Sequence, residues 1–284
     1  MSIAPLPRLG GHSTEPLGTA RADRWWVGPL FTAAGLSGFV VYATWAALQG
    51  AHYYAEPYLS PFYSPVLFTS GELASGNAPL AHAWFGQWPS WWPGWLPLSP
   101  ALLILPFPAA FRFTCYYYRK AYYRSFAGSP PACAVSPLMA GRRPYRGESS
   151  LLLFQNLHRY ALYFALIFVV ILYYDAFRAF FYHRPDGSWQ FGAGVGTLVL
   201  LTNATLLAGY TFGCHSLRHL VGGRLDCLSC DGRPTPRFRL WRLASWFNGR
   251  HMLWAWVSLF WVAFSDLYVR LVSMGWITDL NTWN

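Results

Sequence analysis

Five stretches of this chain are apolar for long enough to cross about 30 Å of hydrocarbon at 1.5 Å per residue. They run from about Trp25 to Gln49, Leu98 to Tyr123, Ser150 to Tyr182, Gly194 to Val221 and Leu243 to Met274. The pattern predicts an all-α membrane protein, a bundle of five transmembrane helices occupying residues 25–274. Pro106 and Pro108 predict a kink in the second span, because each removes a backbone donor. Residues 1–24 are polar, with Pro, Gly, Arg8, Arg21 and Arg24. They lack the apolar stretch of a cleaved secretory signal, so the first run is expected to stay in the membrane. Residues 50–98 form a long loop and residues 275–284 a short tail.

Charge orients the bundle. Only 11% of residues are charged while 54% are hydrophobic and 19% aromatic. A soluble domain carries about 25% charge, so this chain cannot cover itself with a solvated surface, and disorder is excluded for the same reason. The net charge of +10 is almost all arginine, Lys120 being the single lysine. Residues 49–99 hold no Lys or Arg, whereas Arg112, Arg119, Lys120, Arg124, Arg142, Arg143 and Arg146 cluster in one region, and Arg218, Arg224, Arg233, Arg237, Arg239, Arg242 and Arg250 in another. Membrane proteins keep such cations in cytoplasmic loops. The N-terminus and the loops 124–149 and 222–242 are therefore expected inside, with loop 50–98 and the C-terminus outside. A nucleic-acid surface explains the sum of charge but not this alternation.

In loop 50–98, Trp84, Trp88, Trp91, Trp92 and Trp95 have helical spacing, but Pro89 and Pro93 interrupt it. An interfacial segment with its indoles at headgroup level is expected. Asp175 with Arg178, and Asp266 with Arg270, stand at helical pair spacing near the outer ends of spans three and five. A structural outer-leaflet network is the expectation, since intramembrane charges face other helices or water.

The chemistry concentrates in Gly213-Cys214-His215-Ser216-Leu217-Arg218-His219, followed by Cys227-Leu228-Ser229-Cys230. His215 and His219 share a helix face, and Cys227 and Cys230 are three apart in a loop, with Gly222 and Gly223 allowing the chain to turn between. Two His and two Cys make either a tetrahedral zinc site or a Rieske-type [2Fe–2S] centre. On the cytoplasmic side a Cys227–Cys230 disulfide is not expected. His158 and His251 lie at similar depth on spans three and five and compete as ligands; one haem b among His158, His215 and His251 stays open. Cys115, Cys133 and Cys214 read as inert thiols, although Cys214 is close enough to substitute as a ligand.

These residues resemble the membrane-anchor subunit of succinate dehydrogenase, respiratory complex II, of the class that carries a Rieske-type cluster in place of haem. The resemblance covers mainly spans three to five. It implies a bacterial plasma-membrane protein docked on the cytoplasmic face by a succinate-oxidising flavoprotein and an iron–sulfur subunit, passing electrons to a membrane quinone. Carried over, His215 and His219 ligate one iron and Cys227 and Cys230 the other. Asn156, His158, Arg159, Trp246, Asn248, Arg250 and His251 are the quinone-binding candidates. A haem b anchor and a zinc-stabilised transporter or structural protein are the rival readings.

Overall fold

The first apolar run forms helix α1 (Val27–Gln49) without interruption, since its one proline, Pro29, sits in the first turn where a missing donor costs nothing. The computed structural model describes residues 15–138, 151–184, 186–223, 227 and 235–283. The second run does not form one kinked helix. It is divided into α2 (Ala101–Ile104), α3 (Pro106–Thr114) and α4 (Tyr116–Phe126). At Pro106 the ladder is carried across by Leu105 N–H to Ala101 O and Ala109 N–H to Leu105 O. The true break is Cys115, whose backbone is extended (φ −62°, ψ 129°). The apolar helical part, Ala101–Thr114, is about 21 Å long, short of a full span.

Helix α5 (Leu151–Arg178) is followed by a hairpin of β3 (Phe181–His183) and β4 (Trp189–Phe191), a smaller hairpin of β1 (Tyr54–Ala55) and β2 (Tyr58–Leu59) lying in the long loop. The fourth run also breaks, into α6 (Val195–Phe212) and α7 (His215–Gly222), with Cys214 extended between them. The fifth divides at Gly249 and Arg250 into α8 (Pro236–Asn248) and α9 (His251–Ser273). Among the described residues, α1, α5, α6 and α9 are the four helices long and apolar enough to cross a membrane.

Two compact units are distinguished, residues 1–38 with 115–151, and residues 39–114 with 152–284. In the first, Arg21 pairs with Asp23 and donates to Cys133 O (2.8 Å), and Leu17 and Gly18 exchange backbone bonds with Ser136. In the second, α6 is the most enclosed helix and lies along α9. Gly209 makes this possible, because a Cβ there would stand 2.8 Å from the Trp254 ring; small residues at helix contacts serve the same end in membranes generally.

Loop 50–98 is not a surface excursion. Tyr53, Tyr63, Phe62 and Val66 are buried with Ala46 and Val262 as core, and Tyr58 is buried in a second cluster with Ala176, Leu200 and Val269. No helix forms over the Trp series; Trp88 and Trp92 pack against each other with tilted rings while Trp84, Trp91 and Trp95 are exposed. The loop is tied to α9 by Arg270 and Asp266, which close an ion pair at 2.7 Å with 1% and 0% of their side chains exposed. Arg270 also donates to Ala51 O (2.9 Å) and Ala46 O (3.0 Å), and Tyr42 and Ser60 hydroxyls donate to Asp266. The companion pair on α5 is arranged differently: Asp175 accepts from the Ser64 hydroxyl and Arg178 lies over the Trp189 ring. The tail is held too, Asp279 accepting from Tyr58 and Tyr268 hydroxyls and from Gly196 N–H.

Candidate functional site

The break that separates α6 from α7 places Cys214 at the N-terminal cap of α7, 1% exposed, where its sulfur accepts the Ser216 N–H (3.3 Å). Helix N-termini stabilise negative charge on such a sulfur. Against it stands His158 of α5, 8% exposed, with Nε2 at 3.1 Å from Cys214 Sγ. The opposite ring nitrogen, Nδ1, lies 2.9 Å from Thr114 Oγ1. That hydroxyl has one proton and gives it to Ala110 O (2.7 Å), so it accepts from His158 Nδ1–H. The tautomer follows: Nε2 keeps its lone pair and aims it at the sulfur. Metal-binding histidines are commonly fixed in this way, by an acceptor on the far nitrogen.

Aromatic packing holds the histidines at one level. The Phe111 ring lies flat on His158 (centroids 4.7 Å, planes 2° apart), and Tyr210 stacks on His251 (4.9 Å). Phe111 and Tyr210 meet edge to face at 5.4 Å. Gly213 leaves room for His251, since a Cβ there would fall 3.2 Å from its Nδ1. Arg112 extends over Tyr210 (4.7 Å) and donates to Ala255 O and Ser258 Oγ, so a guanidinium sits inside the bundle beside this group.

The residues chosen from spacing are distributed otherwise. His215 and His219 are exposed on α7 and line a separate recess with Arg218, Gly222, Gly223 and Trp241. Cys227 is disulfide-bonded, where a free thiol was expected; Cys230 lies outside the described residues. Of the quinone candidates, His158 and His251 enter the buried group. Asn248 serves the backbone, donating to Gly213 O (2.7 Å), and Arg250 covers the Trp246 ring. Asn156, Arg159, Trp246 and Arg250 are exposed. Thr114, Phe111 and Arg112 were missed, although a Thr and an Arg near the end of an apolar run were signals in plain view.

Among the described residues, no three His, Cys, Asp or Glu converge closely enough to hold one metal ion. The donors present at this group are the His158 and His251 imidazoles and the buried Cys214 thiol.

The comparisons with known proteins agree on one family. A family model described as the actinobacterial succinate dehydrogenase subunit SdhC matches residues 27–275. A chain in the solved structure of the Mycobacterium smegmatis Sdh1 complex in the apo form is 41% identical, covers 98% of each chain and superposes with a TM-score of 0.80. No curated protein sequence matches. With the family model spanning most of its length and a near-complete structural relative, this chain belongs to the actinobacterial SdhC family of succinate dehydrogenase membrane-anchor subunits.

Proposed function

We propose that this anchor accepts electrons from succinate through a soluble flavoprotein and iron–sulfur subunit and delivers them to a membrane quinone by way of a Rieske-type [2Fe–2S] cluster. The observation that carries this is the His158–Cys214 contact, with Thr114 fixing the lone pair of Nε2 toward the sulfur. His158, His251 and Cys214 would hold the cluster. The set His215, His219, Cys227 and Cys230 suggested by spacing is the alternative. When bound, such a centre carries one electron at a potential raised to about −150 to +300 mV, the range a donor to quinone needs.

The chain's own residues supply the rest. Thr114 orients one imidazole, Phe111 and Tyr210 shield the level from lipid and water, and Arg112 offsets negative charge there. With the arginine-rich segments inside, the N-terminus is cytoplasmic, and α8 with Arg239 and Arg242 exposed presents a docking face to the soluble partners in a bacterial plasma membrane.

The test is electron paramagnetic resonance of the reduced whole complex. His158→Ala, His251→Ala and Cys214→Ser are expected to abolish a mixed His/Cys signal and quinone reduction, whereas His215→Ala, His219→Ala, Cys227→Ser and Cys230→Ser retain both. The reverse pattern restores the spacing-based set. A complex without any such signal defeats the proposal.

A further inference from the structure

Between Gly213 and Ser265 the described residues include five arginines and no Asp or Glu. A recess between α7 and α8 collects this imbalance. It has a volume of about 330 Å³ and is lined by His215, Arg218, His219, Gly222, Gly223 and Trp241. Gly222 admits the indole, since a Cβ there would fall 2.5 Å from Cδ1 of Trp241. The carbonyls ending α7 would make one wall partly negative, but Arg237 donates to Val221 O and Gly223 O and offsets them. Arg218 lies over the Trp241 ring, 5.1 Å from its centroid. Among the described residues its guanidinium has no hydrogen-bond or ion-pair partner. His215 and His219 are exposed, and an imidazole offers a ring N–H in either protonation state.

We propose that this recess binds the phosphate of an anionic phospholipid of the inner leaflet, with Arg218 facing the phosphate oxygens and the ring N–H groups of His215 and His219 completing the contact. The proposal rests on the cytoplasmic placing of the arginine-rich segments and not on the cluster. A guanidinium fork matches phosphate oxygens two at a time, and no carboxylate in the lining repels them. Depth selects a lipid over a soluble anion. Helix α6 ends its crossing at Phe212, and Arg218 follows six residues later, about 10 Å farther on, the depth of the headgroups. Leu220, Leu240 and Leu243 are exposed on the same two helices. Around α8, Leu240 and Leu243 take one edge of the exposed face and Arg239 and Arg242 the other, the form of a helix lying at a membrane surface. Acyl chains cover these leucines. A free phosphate, or a carboxylate from a soluble partner, satisfies Arg218 and leaves them in water. A choline headgroup brings its own cation to a recess that already holds one.

The test uses the whole complex in detergent, stripped of loosely held lipid and irradiated with phosphatidylglycerol that carries a diazirine near the head of one acyl chain. Label on residues 218–223 or 237–243, displaced by unlabelled phosphatidylglycerol and not by phosphatidylcholine, supports the site. Label absent from both segments, or displaced equally by phosphatidylcholine, overturns it. Full displacement by inorganic phosphate makes the free anion the ligand and overturns the lipid. Arg218→Gln is expected to weaken labelling about fivefold, the scale of one basic residue at an anionic surface, and Arg218→Lys to stay near the wild type. Undiminished labelling of Arg218→Gln overturns the assignment; if that variant does not assemble, the displacement series on the wild-type complex decides. The cluster reading fails separately: an intact His/Cys resonance signal without labelling removes only the lipid, and labelling without the signal removes only the cluster.

Discussion

Arg270→Met isolates the most buried charge in the described fold. The substitution keeps an unbranched apolar stem and deletes the guanidinium, leaving the Asp266 carboxylate, fully enclosed, with only the Tyr42 and Ser60 hydroxyls for company. Ala51 O loses its arginine donor, while Ala46 O keeps the Tyr63 hydroxyl (2.6 Å). Removing one partner of a buried pair costs about 3–5 kcal/mol. For a protein of this size that is roughly 6–20 °C in Tm. The double variant Asp266→Leu with Arg270→Met removes both charges and retains the cost of two hydroxyls without their acceptor, about 1–3 kcal/mol. It is therefore expected to be more stable than Arg270→Met alone. The measurement is thermal unfolding of the complex in nanodiscs by tryptophan fluorescence, with protease sensitivity of loop 50–98 as a local readout. A shift below about 2 °C for Arg270→Met, or a double variant less stable than the single, refutes the assignment of this pair as the tie between loop and helix.

Further outcomes are expected at the other sites. Thr114→Val removes the acceptor for His158 Nδ1–H at nearly constant shape; partners of this kind are worth about 10–100-fold in metal affinity, so iron per complex falls on dilution and Thr114→Ser restores it. Reduced-minus-oxidised optical spectra of the complex are expected to show no haem b band from this subunit, and a Soret and α band would replace the iron–sulfur reading. Arg239→Glu with Arg242→Glu is expected to weaken assembly with the soluble subunits at low salt and to matter less as salt rises, since exposed charges are screened; salt-independent assembly contradicts α8 as the docking face. Burial holds His82 below the usual histidine range, with Glu56 opposing and Arg178 adding to the effect. An unfolded histidine takes up its proton near pH 6.5, so the stability tied to neutral His82 is complete above that pH and is lost as pH falls toward the folded value. His82→Gln is expected to flatten this slope between about pH 7 and 5 in unfolding experiments.

Long apolar runs were legible because lipid demands them: α1, α5, α6 and α9 stand within the expected stretches. What the pattern could not reveal was where those stretches stop being helical. Hydropathy falls after Cys115 and Cys214, but that fall does not reveal that both residues turn extended and deliver a sulfur at a helix start. Spacing favoured His215 and His219 because i,i+4 pairs are visible in one dimension, whereas His158 and Cys214 are 56 residues apart and meet only through the packing of α5 on the α6–α7 break. Loop 50–98 was read as an interfacial excursion since its prolines and tryptophans forbid a span. Its tyrosines, which turn out to be core, carry no periodic signature outside regular structure.

The Arg270 tie has a consequence for biogenesis. A ribosome completes loop 50–98 long before it reaches the codon for residue 270, and the Ala51 carbonyl finds its arginine donor and the Ser60 hydroxyl its carboxylate acceptor on the last helix. The loop must wait, half-formed, for the C-terminal helix to be inserted before it can close. Nascent chains arrested upstream of that helix should then be the natural targets of membrane quality-control proteases.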